Sequence, residues 1–171
     1  MENGNHVHVF AYGSNLYTQR MRTRVPSAKP VASGYVDHRQ LVFHKRSEDG
    51  SAKADAVLTA VCADRVWGVV YRLQSEEKPA LDQHEFLGIG YDHEEVNVVL
   101  EEGSLKAWMY VARRGAIDPG LLPYSWYLDY IIHGAYEHQL PDSHIDYLMD
   151  FESLVDPDAT RHARNRRLID R

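Results

Sequence analysis

From His6 to Tyr12, Val7 and Val9 alternate with His6 and His8 until Phe10-Ala11, a period of two that predicts a strand. Gly13-Ser14-Asn15 stops it. The period then lengthens. Leu16, Gln19, Arg20 and Thr23 fall at helical spacing, so a helix from Leu16 to about Arg24 is predicted, with Ser14 or Asn15 as its cap. An extended pattern returns from Pro30 to Arg46 through Tyr35, Leu41 and Phe43, and Ser47 to Ser51 reads as a hairpin turn. Strands over Ala54–Ala60 and Val66–Leu73 follow. The second carries Trp67-Gly68-Val69-Val70-Tyr71, apolar enough for burial on both faces.

Ser75-Glu76-Glu77-Lys78-Pro79 has the marks of a helix entry: a cap, acids in the first turn and an early proline. A short helix through Leu81, Asp82 and Glu85 is expected, ended by Gly88-Ile89-Gly90. Two strands come next, Tyr91–Glu101 and Leu105–Ala112, then two helices, Ser125 to about Glu137 and Asp142 to about Leu154. Strands in the first two thirds and helices at the end, without βαβ alternation, predict an α+β domain on a largely antiparallel sheet or barrel. The expected division is one domain over residues 1–155 and a charged tail over 156–171. The arginine-rich run from Arg161 to Arg167 reads as a solvated terminal helix or frayed tail.

The chain has 171 residues, 44% hydrophobic and 26% charged, which suits one self-folding domain. A formal net charge of −6 removes the long-range pull that a general nucleic-acid binder or an anionic-membrane binder would use. A small-molecule substrate is the expected partner, with a homodimer left open. Cys62 is the only cysteine, so neither an intramolecular disulfide nor a Cys-rich zinc site can form. Its neighbours Val61 and Ala63 suggest a buried strand thiol. The N-terminal residues lack a signal-peptide pattern, and no apolar run approaches the roughly 20 residues of a membrane span. A soluble, cytoplasmic protein is expected.

Two features carry candidate chemistry. Tyr12-Gly13-Ser14-Asn15-Leu16 is a strand end that turns through glycine into a helix start. Such a turn aims backbone N–H groups at one point and suits a carboxylate or a developing oxyanion. Gly13 is expected to adopt a backbone conformation closed to other residues and to let a ligand approach the main chain. Ser14 is not a nucleophile elbow, because Tyr12 and Leu16 stand where glycines are required. Ten histidines raise the question of a metal, yet no His-Glu-x-x-His occurs, and His6 and His8 are expected on an edge strand in solvent. The second feature is Glu85, four residues after Leu81, which places both on one helix face and turns the carboxylate inward. Against an apolar wall, a carboxyl gains proton affinity and is prepared for acid/base work near neutral pH.

Together, Tyr12-Gly13-Ser14-Asn15-Leu16, Trp67-Gly68-Val69-Val70-Tyr71, Leu81-Asp82-Gln83-His84-Glu85 and Gly90-Tyr91 resemble the γ-glutamylcyclotransferase family in order and spacing. The likeness continues through Tyr127, Ile131 to Ala135 and Leu140-Pro141, spanning roughly residues 7 to 155. It implies a small mixed β-barrel flanked by helices, no cofactor, and release of 5-oxoproline from a γ-glutamyl amide or peptide. It also implies that Glu85 is the general acid/base and that Tyr12, Gly13, Ser14, Asn15 and Leu16 hold the γ-glutamyl group, with Tyr91 and Tyr127 near the cavity. One departure stands out: relatives usually carry glycine directly after that glutamate, and this chain has Phe86. Phe86 is expected on the helix at the cavity rim, where it would shape the choice of leaving amine. The alternative is a non-catalytic γ-glutamyl metabolite-binding protein on the same fold.

Overall fold

The computed structural model describes residues 5–170. Among them are the strands β1 (His6–Ala11), β2 (Lys29–Asp37), β3 (Arg39–Arg46), β4 (Ala52–Leu58), β5 (Arg65–Gln74), β6 (Tyr91–Val99) and β7 (Ser104–Ala112). The helices are α1 (Thr18–Arg24), α2 (Lys78–His84), α3 (Ser125–Glu137), α4 (Asp142–Met149) and α5 (Ala159–Arg166). Five strands close a barrel in the order β1-β5-β2-β6-β7, while β3 and β4 form a separate two-stranded sheet. Neighbours in the barrel are antiparallel except at the seam, where Val9 of β1 meets Trp108 of β7 in parallel. The fold is therefore a small mixed, largely antiparallel barrel with helices around it.

The apolar run in β5 is explained by its place between β1 and β2: Val66, Val69, Val70, Tyr71 and Leu73 are all fully buried. Gly68 lets β5 pass close to the end of β1, since a Cβ there would lie 2.3 Å from the Ala11 carbonyl oxygen. A second close approach fixes the turn after β1. A Cβ on Gly134 would lie 2.6 Å from both the Leu16 carbonyl carbon and the Tyr17 nitrogen, so α3 packs directly on that turn.

Several local expectations are corrected by tertiary contacts. The extended stretch from Pro30 to Arg46 breaks at His38 (φ +59°), and the chain leaves the barrel there to form the β3–β4 sheet. The helix expected from Leu16 is a single 3₁₀ turn, Ser14–Leu16, followed by extended Tyr17 and then α1, with no side-chain cap on either. The Thr18 N–H is taken instead by Glu137 Oε2 of α3 at 2.9 Å. Cys62 lies exposed, outside any strand. Helix α4 stops at Met149 because the following chain is drawn against the start of α3, where Ser125 N–H donates to the Leu154 carbonyl at 2.7 Å.

The C-terminal charge run is folded onto α3. The buried Asp156 carboxylate accepts from Trp126 Nε1 at 2.9 Å and from Arg161 Nε and Nη2 at 2.6 Å each. Asp158 caps α5 by accepting from Arg161 N–H, and Tyr130 donates its hydroxyl to the Asn165 carbonyl at 2.7 Å. No helix among the described residues is long and apolar enough to cross a membrane.

Candidate active site

A cavity of about 40 Å³ opens where β1 ends. Tyr12, Gly13, Ser14 and Asn15 line it from the turn, Glu85 from the end of α2, Tyr91 from β6 and Tyr127 from α3. Ala54 and Tyr110 join them, and neither was singled out from the sequence. Leu16 does not reach the cavity wall. It is fully buried against Gly134 and anchors the turn to the core.

The tyrosines are held in place through their hydroxyls. Tyr12 donates to the Tyr110 carbonyl at 2.6 Å, and Tyr91 donates to the Ala54 carbonyl at 2.6 Å. Tyr110 donates to Asp82 Oδ1 at 2.5 Å. Burial raises the pKa of Tyr12, Tyr91 and Tyr110 and pushes Tyr127 up to about 12, so all four stay neutral at physiological pH. Tyr127 differs from the others because its oxygen accepts from Ala54 N–H at 3.0 Å, which leaves its own proton to donate into the cavity.

Gly13 has φ −97° and ψ −145°, and the packing around it adds a spatial need for glycine. A Cβ at Gly13 would touch the Ala54 Cβ and the Tyr127 hydroxyl, both at 3.4 Å. Among the described residues, no protein acceptor engages the backbone N–H of Gly13, Ser14 or Asn15. These donors are open to a ligand oxygen. Because the turn is a separate 3₁₀ segment, the cradle consists of these local amides without the dipole of a long helix.

Glu85 sits directly after α2, and its N–H donates to the Leu81 carbonyl at 3.0 Å. Leu81 is fully buried and Glu85 faces the cavity beside it, which agrees with the four-residue spacing. The expected apolar wall is absent. Oε1 accepts from Asn15 Nδ2 at 2.8 Å and from Arg24 Nη1 at 2.7 Å, and the same Nη1 donates to Asn15 Oδ1 at 2.9 Å. This triangle orients the carboxylate, while Oε2 carries no hydrogen bond among the described residues. Arg24 was not singled out from the sequence. The signal available was its position four residues after Arg20, on the face of α1 that starts from the Gly13 turn.

Phe86 lies beyond the helix in the left-handed region (φ +52°), and not on the helix as expected. A left-handed residue at a helix end is the position that glycine occupies without steric cost. The ring, 45% exposed, borders the outer mouth of the site, with Lys45 Nζ 5.9 Å from its centroid.

Fold and cavity together define a small closed barrel with a compact, partly polar cavity at one end, beside an oriented carboxylate. Residues 65–148 match the AIG2-like family. The chain is 30% identical to mouse gamma-glutamylcyclotransferase over 148 residues, covering 84% of this chain and 77% of that protein. It is 31% identical to the human gamma-glutamylcyclotransferase over 137 residues, with 77% and 71% covered. A solved gamma-glutamyl cyclotransferase structure superposes with a TM-score of 0.82 at 25% identity, covering 95% of this chain and 99% of that one. The chain belongs to the γ-glutamylcyclotransferase family.

Proposed function

We propose that the protein cyclises the γ-glutamyl group of a small γ-glutamyl amide or peptide to 5-oxoproline and releases the free amine. The observation that carries this reading is the oriented Glu85 carboxylate, with Oε2 free, in a cavity that also presents the open amides of Gly13, Ser14 and Asn15. The reaction needs little else. The α-amino nitrogen must lose two protons as it forms a bond to the γ-carbon, and the departing nitrogen must gain two as its bond to that carbon breaks. One carboxylate placed between the nitrogens can relay both, a role that supplies about 10²- to 10⁴-fold. The open amides and the Tyr127 hydroxyl would hold substrate oxygens and fold the chain toward ring closure, where positioning contributes several kcal/mol more. Neither a metal nor a nucleotide enters these steps.

The test is release of 5-oxoproline from a panel of γ-glutamyl amino acids, dipeptides and alkylamines. Turnover of at least one compound, dependent on Glu85, is expected. Saturable binding of γ-glutamyl compounds with no 5-oxoproline from any of them would make the protein a binder of such metabolites and overturn the enzymatic reading.

A further inference from the structure

The cavity mouth opens into a second cleft of about 190 Å³, and Ser14, Glu85, Tyr91 and Tyr127 border both spaces. Glu85 therefore stands at their junction. The cleft wall carries four cations: Arg20 and Arg24 one turn apart on α1, Lys45 on β3 and Lys53 on β4. Two acids oppose them. Arg24 is engaged by Glu85, and Lys53 by Asp49 Oδ2 at 2.8 Å, while Asp49 Oδ1 accepts from the Ser51 hydroxyl at 2.6 Å. Arg20 and Lys45 have no carboxylate within 4.0 Å among the described residues. Arg20 Nε is buried without a hydrogen-bond partner, and its guanidinium carbon lies 5.2 Å from the Tyr130 ring centroid. Lys45 is only 7% exposed, with Nζ 4.9 Å from the Tyr91 ring centroid.

Burying two uncompensated cations is costly unless an anion completes them. Burial pulls Arg20 down to about 10 and Lys53 down to about 8, and it also lowers Lys45, which is the cost expressed as proton affinity. In a chain whose net charge is −6, this concentration of positive charge in one cleft is a local device. We propose that the cleft seats the departing amine and selects one bearing at least two negative charges, as an acidic amino acid or a phosphorylated amino acid does. This rests on the cyclotransferase reading, which puts the γ-glutamyl half in the inner cavity and the leaving half outside Glu85. The ammonium of Lys45 and the guanidinium of Arg20 meet the two anionic groups, and Lys53, paired with Lys45 across β3 and β4, adds its charge from the same sheet.

The experiment compares γ-glutamyl-propylamine, γ-glutamyl-alanine, γ-glutamyl-aspartate and γ-glutamyl-phosphoserine. The readouts are 5-oxoproline release by the wild type and calorimetric Kd on the Glu85→Gln protein. Charge-assisted contacts predict a rise of about tenfold in kcat/KM, and a matching fall in Kd, for each added negative charge. A preference for phosphoserine over aspartate beyond the roughly tenfold its extra charge predicts assigns the second group to phosphate, and a smaller or reversed preference assigns it to a carboxylate. The aspartate-to-propylamine ratio should collapse in Lys45→Met and in Lys53→Met, persist in Lys45→Arg, and shrink in the wild type between 50 mM and 500 mM salt. A flat ranking, or one favouring propylamine, overturns the charge selection. Absence of 5-oxoproline from every compound overturns the enzymatic reading alone, because the Kd series still reports the selectivity of the cleft.

Discussion

The inner cavity and the outer cleft meet at Glu85 but are built on opposite principles. In the inner space the tyrosine hydroxyls are neutral and bound to the protein, and the open groups are the Tyr127 proton, Glu85 Oε2 and backbone amides on a turn clamped by α3. In the outer space the side chains are charged, and two of the four cations lack an acidic partner among the described residues. The inner walls come from the barrel, its turn, α2, α3 and one residue of β4, whereas Lys45 and Lys53 come from a sheet outside the barrel. Closed hydrogen bonding holds geometry for a reaction, and open charge leaves room to discriminate between ligands. A change in the first space should alter rate or γ-glutamyl binding. A change in the second should reorder leaving amines.

The largest effect is expected at the junction. Glu85→Gln keeps a carbonyl oxygen for Asn15 and Arg24 but cannot exchange a proton, so turnover should fall by at least about 10²-fold while γ-glutamyl binding persists. Steady-state kinetics and calorimetry on one preparation check this, and activity within about tenfold of wild type would remove Glu85 as the acid/base.

Next is the inner wall. Gly13→Val sends two methyl groups toward Ala54 and the Tyr127 hydroxyl, which already stand 3.4 Å from a Cβ. Overpacking of about 1–3 kcal/mol should appear as a loss of ligand affinity of roughly 5- to 150-fold in protein whose circular dichroism shows it folded. Ser14→Ala should cost less than Gly13→Val. The reverse order in a titration would mean that the hydroxyl, and not the amides, holds the ligand.

Phe86→Gly tests the rim. Release from the left-handed conformation should stabilise the fold by about 1 kcal/mol, or roughly 2–4 °C in Tm. Loss of the ring beside Lys45 should change relative kcat/KM among leaving amines by about tenfold. A uniform scaling of all rates would place selectivity elsewhere.

The smallest effect on activity is expected from the support behind the cleft. Asp156, held at about 2 chiefly by Arg161 and then by Trp126, fixes the indole over which Lys53 Nζ lies at 4.8 Å. A carboxyl depressed in the folded state contributes stability above its unfolded value near 3.9, and that contribution is lost as pH falls from about 4 to about 2. Thermal melts of the wild type should show this acid step. Arg161→Met should lower Tm at neutral pH and flatten the step, with only a modest rise in KM for anionic leaving amines. A step unchanged in Arg161→Met would show that other carboxyls set the acid limit.

Where a pattern reports local burial, it was legible in the sequence. The period of two placed β1, the doubly apolar run placed β5 inside the barrel, and the bounds of α3 follow from its own residues. Spacing from Leu81 turned Glu85 toward the interior. The family resemblance, and not periodicity, singled out Tyr91 and Tyr127. Residue types also pointed to the turn at Gly13 to Asn15, whose amides no protein acceptor engages among the described residues and where space as well as backbone calls for glycine.

Only the tertiary structure decided what surrounds these residues. Alternation continues through His38, so it cannot show that β2 stays in the barrel while β3 departs, which brings Ala54, Lys45 and Lys53 to the cavity mouth. Arg24 reaches Glu85 across 61 positions of sequence, and that contact replaces the apolar wall that a single helix face implied. Total charge is equally silent about local arrangement, since a sum of −6 averages over a cleft with four cations on its wall. Periodicity and composition record what each segment prefers within a few residues, whereas a site is set by which distant segments the closed barrel brings together.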